Sequence, residues 1–384
     1  MKKLKKLAAL ILTAAMVMGL TSIASFADVG APILTGLSIV TAVQDGKNIS
    51  FTPGTTEYTY NVQSDCYGVK VTAMAPSGTE ITINGEAAAS GESKIITISG
   101  DYANYDIALE TKIPVTASKN GMTTTYTINV VRDCDTWAYN LFSENTYTAQ
   151  NGVVMPYELY VPSNYDPAKK YPIVLALHGS GQRTQTTDMV LKRYQMATVF
   201  AKDSEHGINQ CIVLAPQCKV SDANTQNWTT LHAYRAGVHA NPYDSTPFLE
   251  AAYDLLHVIE GSYSVDLNRV YVTGLSAGGV ATFTIAQDHP GEFAAIAPDA
   301  AGADVSRIEA LRGTPMWIFQ AADDPTMKPD EYYYPTVNAL KTSGIYYKTT
   351  LYAPGTVFGT SPHFSWVPMY ADKEFRNWLF AQSK

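Results

Sequence analysis

Gly274-Leu275-Ser276-Ala277-Gly278 sets a serine between small residues where a short apolar run, Arg269 to Thr273, gives way to a helical stretch, Ala277 to Gln287. Gly-x-Ser-x-Gly in that context is the pattern of a nucleophile elbow, a strained strand-to-helix turn that holds a hydroxyl out for attack on a carbonyl. Bulk at 274 or 278 would collide with the flanking strand and helix, and the turn needs a backbone conformation that most residues avoid. The pentapeptide alone also fits an ordinary glycine-rich loop, so its flanks carry the information.

A serine hydroxyl attacks only when a base takes its proton, and the base needs an acid to orient it. On an elbow of this kind the chain order is serine, acid, histidine. Of the seven histidines only His289 and His363 follow Ser276. His289 precedes Pro290 at a helix end with no strand-end acid before it, which suits a residue interacting with the helix dipole. His363 lies on a loop after the strand ending near Tyr352, and is the expected base. The acid belongs after the strand Met316 to Phe319, where Gln320-Ala321-Ala322-Asp323-Asp324-Pro325 offers two adjacent carboxylates. Asp324 is taken as the acid, with Asp323 the neighbouring alternative and Asp299, after Ala294 to Ala297, a more distant one.

Acyl transfer also needs hydrogen-bond donors for the tetrahedral oxyanion. His178-Gly179-Ser180-Gly181 follows the apolar strand Ile173 to Leu177, where the second donor loop of such an elbow sits. The backbone N–H groups of Ser180 and Ala277 are the expected donors, and His178 is expected to be a structural hydrogen-bonder. Trp228 and Trp366 are candidates for the substrate pocket, since aromatic walls suit aryl or polyester groups. The three histidines of the long polar segment 182 to 243, His206, His232 and His239, are too scattered for a metal site, and no cofactor motif is present.

Two kinds of element must position these residues. From about Ile33 to Arg132 apolar residues alternate with period two, as in Tyr58, Tyr60 and Val62, then Val69, Val71 and Ala73, then Tyr126, Ile128 and Val130. Asn84-Gly85 and Asn120-Gly121 separate such runs and supply the positive φ angles of type I′ hairpins. Short strands with regular turns imply a β-sandwich. After Asp133 strands alternate with helices, implying an α/β layer fold with a mostly parallel sheet. The expected division is a leader over 1–27, a sandwich over 28–133 and a catalytic α/β domain over 134–384. Every candidate for the chemistry lies in the last, so the sandwich is expected to be dispensable for turnover.

The leader is read from Lys2, Lys3, Lys5 and Lys6 before the apolar run Leu7 to Leu20, with Ser25-Phe26-Ala27 as a small-x-small cleavage site. About 14 apolar residues fall short of the ~20 that a spanning helix needs, so a secreted protein without a membrane span is expected. Loss of those lysines takes the formal net charge from −8 to −12, which disfavours nucleic acid or an anionic membrane as partner and leaves small or polymeric esters compatible. Four cysteines are too few for a disulfide scaffold; a bridge between Cys66 and Cys134 is left open, whereas Cys211 and Cys218 flank an extended strand and cannot pair without a sharp bend.

Residues 137 to 383 resemble the secreted α/β-hydrolase esterases related to feruloyl esterases and polyhydroxybutyrate depolymerases, some of them described as peptidases. The resemblance rests on Tyr157-Glu158-Leu159-Tyr160-Val161-Pro162, Leu177-His178-Gly179, Ala215-Pro216-Gln217-Cys218, Asn268 through Gly279, and His363-Phe364-Ser365-Trp366. It implies a serine carboxylic-ester hydrolase working through Ser276, Asp324 and His363, without a cofactor. It also supports the register at the acid: the family commonly reads His-Gly-x-x-Asp there, and Gln320 to Asp324 aligns its fifth position with Asp324 while departing at the first two. The segments Phe51 to Tyr60 and Thr124 to Val130 resemble cadherin-like sandwich modules, which implies a spacer or a contact with a cell-surface or polysaccharide partner. A serine peptidase on the same fold would use the same triad. A surface binding protein with a vestigial hydrolase domain is the reading of another class, which a complete triad disfavours.

Overall fold

The computed structural model describes residues 33–42, 48–64, 66–98 and 109–384; the leader expected over 1–27 and the first residues of the sandwich lie outside them. Among the described residues eight strands make up the first part: β1 (Gly36–Thr41), β2 (Glu57–Val62), β3 (Gly68–Met74), β4 (Glu80–Ile83), β5 (Glu86–Ala88), β6 (Ser93–Thr97), β7 (Leu109–Lys119) and β8 (Met122–Arg132). They form a three-stranded sheet in the order β1-β3-β6 and a five-stranded sheet in the order β2-β8-β7-β4-β5. Alternation puts Val69, Val71, Ile113, Val115, Tyr126, Ile128 and Val130 into one core between the sheets, each fully buried. Asn84 and Gly85, and Asn120 and Gly121, all take positive φ between paired strands, the hairpin geometry that their sequence calls for.

The second part is built on an eight-stranded sheet of β9 (Phe142–Thr148), β10 (Val154–Tyr160), β11 (Tyr171–Leu177), β12 (Ile212–Pro216), β13 (Val265–Leu275), β14 (Ala295–Asp299), β15 (Trp317–Ala321) and β16 (Lys348–Tyr352). The strand order is β16-β15-β14-β13-β11-β12-β10-β9. From β12 to β16 neighbouring strands run parallel, while β9 and β10 add an antiparallel edge. The parallel strands are covered on both faces, which is why β11, β12, β14 and β15 are buried along their whole length. This is the α/β-hydrolase fold, and the loops after β11, β13, β15 and β16 converge at the carboxyl ends of the strands, where ligands of open α/β sheets bind.

The cysteines serve packing. Cys134 carries a free thiol that accepts the Thr136 hydroxyl at 3.0 Å, so the bridge to Cys66 is not formed. Cys211 and Cys218 are buried thiols in the hydrolase core, and burial pushes both well above the ordinary thiol range.

The two parts meet beside the site. Tyr67 sits edge-on to Phe364 at 5.6 Å and donates its hydroxyl to the Arg193 carbonyl at 3.2 Å. The Lys70 ammonium lies over the Phe358 ring at 4.9 Å. A Cβ on Gly68 would stand 2.5 Å from the Gly359 Cα, so only glycine allows this approach of the chains. Ser64 donates to Asp135 at 2.7 Å, and Asp135 also holds Lys202 at 2.9 Å.

Candidate active site

Ser276 ends β13 and opens the helix Ala277–Asp288 with φ 55° and ψ −119°, a positive-φ conformation that a non-glycine residue adopts only under constraint. The constraint is visible around it. The Ser276 N–H donates to the Asp299 carbonyl at 3.0 Å, tying the turn to the end of β14. A side chain on Gly278 would run into the Leu177 carbonyl at the end of β11, and one on Gly274 into the Gly278 backbone. The small residues of the pentapeptide thus let strand, turn and helix close on one another.

His363 Nε2 lies 3.0 Å from Ser276 Oγ, and His363 Nδ1 donates to Asp324 Oδ2 at 2.7 Å. Asp324 Oδ1 accepts the Thr326 and Met327 N–H groups at 2.7 and 3.0 Å, and Gln320 Nε2 donates to Oδ2 at 3.2 Å. Burial by itself would raise this carboxyl, but the hydrogen bond and charge of His363 and the two backbone donors outweigh it and hold the group below the usual carboxylate range. Asp324 therefore stays anionic and fixes the imidazole with Nδ1 protonated, leaving Nε2 as the acceptor facing the serine.

The other carboxylates lie apart from the imidazole. Asp323 turns away and accepts the Gly355 N–H at 2.9 Å. Asp299 is fully buried, accepts the Ser365 hydroxyl at 3.0 Å, and is held well above the ordinary range by burial, with the Asp324 charge adding to the effect. His289 caps its helix and stacks on Tyr253 at 3.5 Å between ring centroids.

The loop after β11 packs directly against the elbow, for a Cβ on Gly179 would stand 2.7 Å from Leu275 Cδ1 and 3.6 Å from Ser276 Cβ. Neither the Ser180 nor the Ala277 N–H has a backbone acceptor among the described residues, and Ala277 opens its helix, where N–H groups lack an intrahelical partner. His178 is fully buried: its Nδ1 faces the Gly179 carbonyl at 2.6 Å, its Nε2 accepts the Cys218 N–H at 2.9 Å, and burial pushes it down to about 4. It is a neutral strut.

Two sequence expectations change. Trp228 is 0% exposed, lies against His178 at 4.9 Å and donates Nε1–H to the His178 carbonyl at 2.9 Å, so its ring braces the loop from beneath and is no pocket wall. Trp366 is 2% exposed and packed among Tyr194, Phe364 and the edge of His363, 5.0 Å away; it supports the imidazole from behind. Both are bulky and flat, and the core took them.

Asn227 and His232 were not legible as site residues. Asn227 Nδ2 donates to Ser180 Oγ at 3.3 Å and His232 Nε2 lies 2.7 Å from the same atom, although the loop is some fifty residues earlier in the chain. No motif or spacing announces such a contact.

Both parts of the chain resemble known proteins. The esterase family matches residues 149–344, and the cadherin-like beta sandwich domain matches residues 34–133. A solved thermostable esterase is 25% identical over 86% of this chain and 100% of its own, with a TM-score of 0.61. A ferulic acid esterase from the anaerobic fungus Anaeromyces mucronatus (16% identity, 63% of this chain and 90% of its own, TM-score 0.44) and the feruloyl esterase module from Clostridium thermocellum (16%, 60% and 87%, TM-score 0.43) are more distant likenesses. No curated protein matches the chain. With a matched family spanning half of its residues, the chain belongs to the esterase family, as a carboxylic-ester hydrolase with an N-terminal cadherin-like sandwich.

Proposed function

We propose that the ester is cleaved through an acyl-enzyme on Ser276. As Ser276 Oγ bonds to the ester carbonyl carbon, its proton passes to His363 Nε2, and Asp324 stabilises the imidazolium that forms. The carbonyl oxygen takes up the negative charge and is met by the Ser180 and Ala277 N–H groups. Collapse breaks the bond to the alcohol oxygen, which leaves with the proton from His363. A water molecule, deprotonated by His363, then attacks the acyl carbon, and the second collapse releases the acid and returns the proton to Ser276. The observation that carries this reading is the unbroken pair of hydrogen bonds from Ser276 through His363 to Asp324.

The protein works outside the cell in this reading, on the strength of its leader pattern, and its substrate is a neutral ester: a feruloyl or acetyl group on a polysaccharide, or a polyester. The net charge, −8 for the whole chain and −12 without the leader, supports a neutral over a polyanionic substrate. The sandwich is a candidate contact to a cell surface or polysaccharide. The test is a panel of feruloylated and acetylated xylans, soluble polyesters and peptides, assayed with the wild type and Ser276→Ala. Ester release by the wild type alone supports the reading; peptide cleavage exceeding ester release, or an active Ser276→Ala, overturns it.

A further inference from the structure

The long polar segment after β12 holds a five-residue helix, Leu231–Arg235, whose side chains reach two different loops of the site. On one side His232 Nε2 lies 2.7 Å from Ser180 Oγ. Asn227 Nδ2 donates to the same oxygen at 3.3 Å, and Arg183 Nε donates to the Ser180 carbonyl at 2.9 Å. The residue whose N–H faces the oxyanion is therefore fixed through its side chain and its carbonyl together. On the other side Arg235 Nη2 donates to the Thr326 carbonyl at 3.1 Å, lies 2.9 Å from Met327 Sδ, and shares Tyr332 Oη at 3.2 Å. Thr326 and Met327 are the residues whose N–H groups hold Asp324 Oδ1.

We infer that the helix Leu231–Arg235 is a positioning clamp that joins the oxyanion loop, through His232, to the loop of the triad acid, through Arg235. The inference rests on the triad reading above and adds to it residues that touch no reacting atom. One rigid turn of helix sets the distance between the two loops, so the developing oxyanion and the imidazolium are served in register. Burial, with the charges of Arg183 and Arg235, pushes His232 down to about 4, so the imidazole is neutral and the contact to Ser180 is one neutral hydrogen bond. Misplacement of an oxyanion donor by about 1 Å costs on the order of 10²-fold in turnover.

The test is steady-state kinetics on a soluble p-nitrophenyl ester for His232→Ala, His232→Gln, Arg235→Ala and Arg235→Lys, beside Ser276→Ala and with thermal unfolding of each. The expected result is a kcat lower by about 10²-fold for His232→Ala and roughly 10-fold for Arg235→Ala, with KM within about twofold, because the donors act in the transition state. His232→Gln, whose amide nitrogen can take the place of Nε2, should recover most of the loss. A kcat unchanged in either alanine variant overturns the clamp, as does a loss that follows unfolding and that glutamine does not restore. If Ser276→Ala stays active, the triad reading itself falls; if it is inert while His232→Ala and Arg235→Ala match the wild type, only the clamp does.

Discussion

Asp323 and Asp324 differ by one position and have opposite surroundings. Asp324 is 3% exposed and accepts from His363, Gln320 and two backbone N–H groups, whereas Asp323 accepts the Gly355 N–H in a loop. Asp324→Asn should lower kcat by up to about 10⁴-fold, because the amide presents the wrong partner to Nδ1–H and turns the imidazole's tautomer. Asp323→Asn should stay within about tenfold of the wild type, since its backbone contact has no electrostatic role in the transition state. Equal losses in the two variants, measured as kcat on a small ester, would remove the distinction. Chain order pointed to His363 as the base and the end of a late strand to Asp324 as the acid, and the structure sets His363 Nδ1 2.7 Å from Asp324 Oδ2. Gln320, the first departure from the family's pattern, proves to donate to the acid itself, a role that residue type and spacing did not announce.

At the scale of elements the elbow was the most legible feature, because the steric demand of strand, turn and helix falls on specific small residues. Gly278 is the sharpest case. A methyl group there meets the Leu177 carbonyl, which belongs to the strand leading into the oxyanion loop. Gly278→Ala should therefore move the elbow and that loop apart, costing kcat by at least about 10²-fold and the fold on the order of 1–3 kcal/mol of overpacking; an alanine variant with wild-type turnover and unfolding temperature would contradict the packing described. The segment between β12 and the helix Pro247–Ser262 was the least legible, since its short helices are held by contacts to loops distant in sequence, through Trp228, His232 and Arg235. Trp228 shows the reason. A tryptophan reads equally as pocket wall or core until the fold says which side of it is covered.

For the whole molecule, two domains were legible in the change from period-two alternation to strand-helix alternation, but their contact was not. Tyr67 and Lys70 of the sandwich pack on Phe364 and Phe358 in the loop that carries His363. The expectation that the sandwich is dispensable for turnover is revised accordingly: removal of residues 1–132 should leave a folded hydrolase with its own core and a kcat on a small soluble ester lowered roughly tenfold, through looser placement of His363. An unchanged kcat would show that the loop holds the imidazole without the sandwich. Stability carries its own pH signature. Burial, with the negative charges of Glu144 and Asp188, raises Glu158 to about 7, whereas an unfolded glutamate titrates near about 4.3. The folded state then keeps a proton that the unfolded chain releases, so stability is full below the unfolded value and declines as pH rises toward about 7. Glu158→Gln should raise the unfolding temperature by about 2–4 °C at pH 8 and by little near pH 4.5, discounting the shift for partial solvation; an effect of equal size at both would rule out proton linkage.

The proposed role of Ser276 as nucleophile, activated by His363 and Asp324, can be read out by peptide mass mapping after reaction with a fluorophosphonate. A single adduct is expected, on the peptide containing Ser276, formed in step with the loss of esterase activity and nearly abolished in Asp324→Asn. Inactivation with the adduct on any other residue, or full activity with Ser276 modified, would contradict it.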